Sequence, residues 1–261
     1  MFKENKEFWL YIIGTIVLFV FLIFGMKSYF NSTSLALLLM PPLAQPQAVG
    51  VTLVYDTPPV INLVKDTDYF ARINTNKGSF VIDLFEKNAP NTVNNFVYLA
   101  SQKYYDGTKF HRLIPGLLLQ GGSRNTLNQD SSDDAFGGPG YVINDEINWD
   151  SLGLDQATRT ELTAQGYASD PKHSSVDMGK YRLAMANAGA NTNGSQFFIL
   201  LSGLDNPDVL KLRGKYTVFA EVIGNREVLD LLGSTKVNNQ ITADPRPAED
   251  LVITSVEIIQ N

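Results

Sequence analysis

The chain has 261 residues, 44% of them hydrophobic and 11% aromatic, which is enough apolar material for a sizeable core and excludes disorder along the whole length. Its formal net charge of -6, with no clustered Lys and Arg, argues against a nucleic-acid surface. The chain contains no cysteine, which excludes disulfides, a thiolate nucleophile and a zinc site with sulfur ligands.

The N-terminal region contains an uninterrupted apolar run, FWLYIIGTIVLFVFLIFGM, over residues 8–26. The run carries no charge and approaches the roughly 20 residues that a helix needs to cross a bilayer. Lys3 and Lys6 precede it, which favours a cytoplasmic N-terminus. We therefore predict a single-pass membrane anchor over residues 1–30, with the rest of the chain outside the cytoplasm. A cleaved signal peptide is the main alternative, although its apolar core is usually shorter, and a buried core helix is a minor one.

The next segment, residues 31–66, is interrupted by prolines at 41, 42, 46, 58 and 59. Proline favours extended conformation, so this segment is predicted to be a tether that holds the following domain away from the membrane. As an alternative to a free tether, residues 49–55 would form an added strand that packs on that domain.

From residue 67 to residue 261 the pattern changes to short strand-like segments separated by turn residues. Strands are predicted at residues 69–75, 79–85, around Arg112, and at 181–186, 196–201, 216–222 and 251–259. Helices are predicted at residues 88–101, 155–165 and 226–232. Many antiparallel strands with only two substantial helices predict a closed barrel whose ends the helices cover.

An arginine stands out in the stretch YYDGTKFHRLIPGLLLQGG, residues 104–122. Strand periodicity places Phe110, Arg112 and Ile114 on one side, and Lys109, His111 and Leu113 on the other. An ordinary strand arginine would have its head in solvent, but a fixed cation among apolar side chains suggests a specific task.

Five motifs occur in one order along the predicted domain: FHRLIPG at 110–116, QGG at 120–122, GGPGY at 137–141, ANAGANTNGSQFF at 186–198 and GKYTVFAEV at 214–222. This set resembles the cyclophilin family of peptidyl-prolyl cis-trans isomerases, in its bacterial-like form, and it covers most of residues 67–261. The resemblance implies a mainly β fold, a closed eight-stranded antiparallel β-barrel capped by two helices, which agrees with the independent strand pattern.

The resemblance also implies the site. Arg112, Gln120 and Phe198 would be catalytic, with Arg112 donating to the proline nitrogen of a twisted amide and Phe198 forming the floor of a proline pocket. The implied substrate-binding residues are Leu117, Leu118, Ala186, Asn187, Gln196, Leu212 and Tyr216. For Phe198 and the leucines, plain barrel core is the alternative to a pocket role.

Several rim positions depart from the best-known family pattern. Leu117 and Leu118 stand where the family often has Phe and Met, Tyr216 replaces His, Lys211 replaces Trp, and Ala190 replaces Pro. These changes leave the arginine in place but argue against cyclosporin binding. Residues 144–180 form an excursion longer than the family's usual connection, which would cover or extend the groove.

The leading hypothesis is therefore an isomerase that acts on X-Pro bonds in exported or membrane-associated proteins. It would need no cofactor, and the two histidines, His111 and His173, lie too far apart in sequence to suggest a zinc site. The rival is a non-catalytic module that binds proline-containing peptides as a chaperone or scaffold. A hydrolase based on Ser195 is a weak third hypothesis, because no nucleophile-elbow sequence surrounds it.

Overall fold

The computed structural model describes residues 53–238 and 245–261, and at their centre lies one antiparallel sheet of eight strands. The strands are β1 (Tyr69–Thr75), β2 (Gly78–Leu84), β3 (Arg112–Ile114), β4 (Leu118–Gly121), β5 (Arg182–Met185), β6 (Phe197–Leu200), β7 (Val218–Gly224) and β8 (Ile253–Gln260). The helices are α1 (Pro90–Ser101), α2 (Gln156–Ala164), α3 (Pro207–Leu210) and α4 (Arg226–Gly233), with short 3-10 turns at Arg124–Leu127 and Asp134–Phe136. The mainly β fold predicted from the sequence is confirmed.

The sheet has the order β3-β4-β6-β5-β7-β2-β1-β8 and is curled into a half-barrel. The prediction of a fully closed barrel needs correction, because the edge strands β3 and β8 share no ladder in the described part of the chain. Instead, the segments that precede them meet through an isolated bridge between Lys109 and Val252 and a 2.8 Å hydrogen bond from Phe110 N to Leu251 O. All three residues of β3 pair with β4, and the sheet ends at the other edge of β3.

The core is built around an aromatic cluster between α1 and the sheet. Phe96 of α1 is fully buried, and its ring lies 5.9 Å from that of Phe197 and 5.3 Å from that of Phe219. Proline at the first position of α1 suits a helix start, because the N–H that it lacks has no partner there. Burying one such phenylalanine contributes roughly 1.5–3 kcal/mol, so Phe96 helps to hold α1 on the sheet.

The strand that carries Arg112 differs from the predicted alternation. Phe110 was expected to share a side with Arg112, but its ring is 1% exposed and packs in the main core, 6.3 Å from Phe197. Arg112 and Ile114 are half-buried, while Leu113 between them is buried in the main core. The reason is that the strand begins only at Arg112, so period-two alternation does not reach back to Phe110.

The last part of the predicted tether packs on the domain. Leu53, Tyr55 and Leu63 are partly buried against the main core. For the described residues 53–55, the alternative is right about packing on the domain but wrong about a strand, because none of these residues belongs to one.

The predicted membrane anchor over residues 1–30 lies outside the described residues. Within residues 53–238 and 245–261, none of the helices combines the length and apolar character needed to cross a membrane.

Candidate active site

A groove of about 420 Å³ opens at the β3-β4-β6 side of the sheet. Its lining comprises Arg112, Ile114, Leu117, Leu118, Gln120, Ala186, Asn187, Phe198, Leu212 and Tyr216. Nine of these ten were predicted as site residues from the sequence. Ile114 was not, and the remaining predicted residue, Gln196, lies in an adjoining groove.

The sheet register brings the three predicted catalytic residues together. Arg112 of β3 is the cross-strand partner of Gln120 of β4, and Gln120 is in turn the partner of Phe198 of β6. Directly paired residues on neighbouring antiparallel strands point to the same face of a sheet. The three side chains therefore form a row across three adjacent strands, although Phe198 is more than 70 positions from the other two in sequence.

A chain of hydrogen bonds begins at the arginine. Arg112 Nη1 donates to Gln120 Oε1 at 3.2 Å, and Gln120 Nε2 donates to Gln196 Oε1 at 3.1 Å. Gln196 Nε2 then donates to the carbonyl oxygens of Ala135 at 2.9 Å and Gly137 at 2.8 Å. The orientation of Gln120 is thus set from both ends, and the chain couples Arg112 to the loop that contains Gly137.

The apolar floor of the groove is Phe198, which is 3% exposed and packs in a small core with Leu118 and Leu200. Tyr216 stands nearly perpendicular to it, with ring centroids 5.3 Å apart. Burial raises the pKa of the Tyr216 hydroxyl, and the positive charge of Arg112 opposes that shift in part. Tyr216 is therefore a neutral phenol at ordinary pH.

Arg112 is the only charged side chain among the ten residues that line this groove. Its guanidinium is half-buried beside an aromatic floor and is a positively charged hydrogen-bond donor. Such a cation interacts more strongly with a ligand dipole than it would in open water, because the apolar walls exclude part of the solvent. The geometry suits a ligand with one apolar ring and a polar atom next to it.

A second groove of about 280 Å³ adjoins the first and shares Gln120, Ala186 and Asn187 with it. Its outer wall is the loop of residues 135–142, which we call the wall loop. Phe136 in that loop is 83% exposed. The two grooves together provide a path longer than one residue of an extended peptide.

Ser195 contributes to the lining of the second groove, but the residue is fully buried. Its Oγ donates to the Gly122 carbonyl oxygen at 2.7 Å and lies 3.2 Å from the hydroxyl of Tyr104. A serine held in this way is a structural residue, so the geometry gives the hydrolase hypothesis no support.

The excursion of residues 144–180 has a small apolar core of its own. Its buried members are Ile147, Trp149, Leu152, Leu154, Leu162 and Tyr167. The hydroxyl of Tyr167 donates to Asn187 Oδ1 at 3.3 Å, and Asn187 Nδ2 donates to the Lys215 carbonyl oxygen at 2.9 Å. No residue of the excursion lines either groove, so it supports the rim from behind and does not cover it.

Metal ligands are not grouped in the described residues: no cluster of three or more His, Cys, Asp or Glu side chains is placed to hold an ion. His111 is 4% exposed beside β3, and His173 lies in the excursion.

Comparison with known proteins agrees with the geometry. The profile of the family described as cyclophilin type peptidyl-prolyl cis-trans isomerase/CLD matches residues 70–258. The chain is 36% identical over 206 residues to peptidyl-prolyl cis-trans isomerase B of Streptomyces anulatus, covering 72% of this chain and 95% of that protein. It is 33% identical over 205 residues to peptidyl-prolyl cis-trans isomerase A of Mycobacterium tuberculosis, covering 72% and 91%.

Solved structures give the same result. A cyclophilin-type peptidyl-prolyl cis-trans isomerase of Cryptosporidium parvum superposes with a TM-score of 0.54 at 28% identity, covering 74% of this chain and 99% of that one. A second structure of the same protein, determined in the presence of the dipeptide Ala-Pro, matches with a TM-score of 0.53.

Proposed function

The chain belongs to the cyclophilin-type peptidyl-prolyl cis-trans isomerases, and we propose that Arg112, Gln120 and Phe198 form its isomerase centre. The observation that carries this assignment is the cross-strand row of these three residues, which sets one guanidinium beside an apolar floor. The substrate is a proline-containing polypeptide.

The reaction requires no bond to be broken. Rotation about an X-Pro peptide bond meets a barrier of about 18–20 kcal/mol from amide resonance, whereas the two planar states differ by only about 0.5–1 kcal/mol. When the bond is twisted, resonance is lost and the proline nitrogen acquires a lone pair. A donor aimed at that nitrogen stabilises the twisted state more than either planar state, which is the condition for catalysis.

Arg112 is placed to be that donor. Its partner Gln120 restrains the guanidinium through the 3.2 Å hydrogen bond, so little side-chain freedom is lost in the transition state. The proline ring would rest on Phe198, between Leu118 and Tyr216, where apolar surface offsets the cost of ordering the peptide. Chain on either side of the proline would continue past Ala186 and Asn187 towards the second groove.

The rim supports a further part of the proposal, namely that cyclosporin does not bind tightly. Lys211, at a position where many family members carry Trp, has a 74% exposed side chain and forms an ion pair with Asp208 at 2.7 Å. It is not among the residues that line the groove. The groove therefore lacks the additional apolar contact that a Trp at this position would supply, which leaves the floor intact but reduces the area that a large cyclic ligand would bury.

We place the domain on a membrane, outside the cytoplasm, where its clients would be exported or membrane-associated proteins. The apolar run of residues 8–26 and the lysines that precede it support this part of the proposal. Protease treatment of intact cells that carry a tag after Asn261 tests it. We expect the tag to be digested once any outer barrier is opened but before the cytoplasmic membrane is, and protection until full lysis would contradict the placement.

The activity is tested by exchange NMR on an Ala-Pro peptide with the intact chain. We expect the wild type to accelerate exchange between the cis and trans forms, and Arg112→Ala to lose most of that acceleration. Arg72→Ala, at an exposed strand position, is the matched control and should retain it. Tight peptide binding without acceleration by the wild type would select the non-catalytic binding module instead.

A further inference from the structure

A segment ahead of β1 lies against the back of the wall loop. We call residues 53–64 the N-terminal strap. The backbone N–H of Tyr55 donates to the Pro139 carbonyl oxygen at 2.8 Å. The approach is so close that a Cβ added at Gly140 would come within 2.5 Å of Val54 Cγ1 and 2.7 Å of the Tyr55 carbonyl oxygen. The strap and the wall loop are therefore in direct backbone contact.

Further along, the strap is fixed to α1. The buried side chain of Asn94 accepts a hydrogen bond from Asn62 N at 2.9 Å and donates to the Val60 carbonyl oxygen at 3.2 Å. The Val64 N–H donates to the Tyr69 hydroxyl at 2.8 Å. Because Asn94 satisfies both ends of its amide on the strap, the segment is tied to the domain at more than one point and is not a loose leader.

Tyr55 also packs its ring between α1 and the wall loop. Its centroid lies 5.3 Å from that of Tyr98 in an edge-on arrangement and 6.4 Å from that of Tyr141. The Tyr141 hydroxyl donates to Asn95 Oδ1 at 2.6 Å, which ties the same loop to α1. Within the described residues the Tyr55 hydroxyl itself has no hydrogen-bond partner, so the ring and the backbone provide its contacts.

The wall loop is thus held from two sides. On the groove side, Gln196 donates to the carbonyl oxygens of Ala135 and Gly137, at the end of the hydrogen-bond chain that starts at Arg112. On the outer side, Tyr55 holds Pro139. Residues of this loop form the outer wall of the second groove, so a shift of the loop changes the width of that groove and leaves the first groove in place.

We infer that the N-terminal strap positions the wall of the second groove, and that Tyr55 is a positioning residue for substrates long enough to reach that groove. The inference rests on the proposed function, since it assigns the positioning of part of the substrate path to a segment that precedes the sheet. A peptide that fills only the groove above Phe198 gains nothing from the wall loop. A longer peptide contacts both grooves and depends on where the wall stands.

The test compares two substrates with the full-length chain: a blocked Ala-Pro peptide, and a longer peptide with several residues added on each side of the Ala-Pro pair. Dissociation constants are measured by titration calorimetry, and kcat and KM by exchange NMR. The variants are Tyr55→Ala, which removes the ring, Tyr55→Phe, which keeps it, and Val60→Ser, a change on the strap at a residue that is 80% exposed. Thermal unfolding is recorded for each.

We expect Tyr55→Ala to raise the KM and Kd of the longer peptide by about tenfold, which corresponds to the loss of one well-packed contact. Its kcat, and all values for the short peptide, should stay within about twofold of wild type, a difference too small to indicate a lost contact. Tyr55→Phe should restore the wild-type values, and Val60→Ser should not alter them.

Equal losses for both peptides would overturn the inference, because they would mean that Tyr55 serves general stability alone. Unchanged values for the longer peptide would overturn it as well. If the wild type binds both peptides but accelerates neither, the proposed isomerase activity fails, while the ratio of the two dissociation constants still decides the role of the strap.

Discussion

Arg112 and Gln120 are direct cross-strand partners, and the guanidinium donates to the amide oxygen at 3.2 Å while the amide nitrogen donates onward to Gln196 at 3.1 Å. The amide of Gln120 cannot turn over without losing both bonds. The pair therefore fixes the direction of the guanidinium and connects it to the neighbouring groove.

Removing this restraint is expected to reduce turnover without unfolding the protein. Gln120→Ala should lower kcat/KM by about tenfold, because a hydrogen bond to a charged group contributes roughly 1.5–3 kcal/mol and part of it is regained from water. The loss should be smaller than that of Arg112→Ala. Gln156→Ala, at an exposed position of α2, is the matched control and should behave as wild type in the same exchange measurement.

Phe198 has two roles, because it packs in a small core and also forms the floor of the groove. Phe198→Ala should reduce the free energy of unfolding by roughly 3–5 kcal/mol, measured by urea titration, since a 3% exposed ring leaves a cavity. Phe198→Leu should cost less and bind Ala-Pro peptides more weakly than wild type. Phe136→Ala, which removes an 83% exposed ring, should change stability by no more than about 0.5 kcal/mol. Equal stability losses at the two positions would contradict the placement of Phe198.

Alanine substitutions at three glycines distinguish the effect of backbone strain from that of steric overlap. At Gly140 the backbone has a φ of +94°, and an added Cβ would lie 2.5 Å from Val54 Cγ1. Gly140→Ala should therefore reduce the free energy of unfolding most, by roughly 2–4 kcal/mol. Gly153→Ala has a φ of +62° but open space around it, so about 1 kcal/mol is expected. Gly138→Ala has open space and no positive φ, and should be nearly neutral. A different order of melting temperatures would contradict the contact of the strap with the wall loop.

We expect the buried tyrosines to make the folded state less stable at alkaline pH. Burial raises the pKa of Tyr141 well above its ordinary value of 10.0, and burial also raises the pKa values of Tyr104 and Tyr216. The unfolded chain releases these protons near pH 10 while the folded chain retains them. The stability that these tyrosines contribute is therefore fully present below pH 10, and it is lost as the pH rises through their higher pKa values in the folded state.

Absorbance of tyrosinate, followed together with circular dichroism during a titration, checks this expectation. The buried tyrosines should ionise only as the fold is lost, and Tyr141→Phe should weaken the alkaline dependence while costing roughly 1 kcal/mol at pH 7 through the lost bond to Asn95. Ionisation of every tyrosine near pH 10 in the folded protein would contradict the burial described.

Much of the fold could be predicted from local sequence patterns. Pro90 at a helix start and the alternation in Tyr69–Thr75 are signals that act within a few residues, and both elements occur as predicted. The strand β4 was missed because its sequence, LLQG, has no alternation: it is a short segment buried on both faces. The short helix α3 and the 3-10 turns were missed for a similar reason, since four residues or fewer give no period.

The site residues were predicted from the resemblance of motifs. What brings them together physically is the register in which β3, β4 and β6 pair. Nothing local indicates that Phe198 lies across from Gln120, since this follows from the pairing of β4 with β6. The packing of Leu53 and Tyr55 was predicted only as an alternative, in the form of a strand, because the prolines around them favour a tether when taken alone. Ile114 was placed on the same side as Arg112 but was not predicted as a site residue, because an apolar strand residue gives the same sequence pattern whether it faces a groove or the core.

The proposed isomerase centre requires that Arg112 stabilise the twisted amide more than the planar amide of the bound peptide. It is tested most directly by measuring, for one Ala-Pro peptide, both the exchange rate at saturation and the Kd with wild type and Arg112→Ala. Loss of a preorganised charged donor predicts a fall in the exchange rate of about 10²–10³-fold, with Kd changed by less than about threefold. A Kd that weakens as much as the rate falls would contradict the account, because Arg112 would then stabilise the planar and twisted states equally.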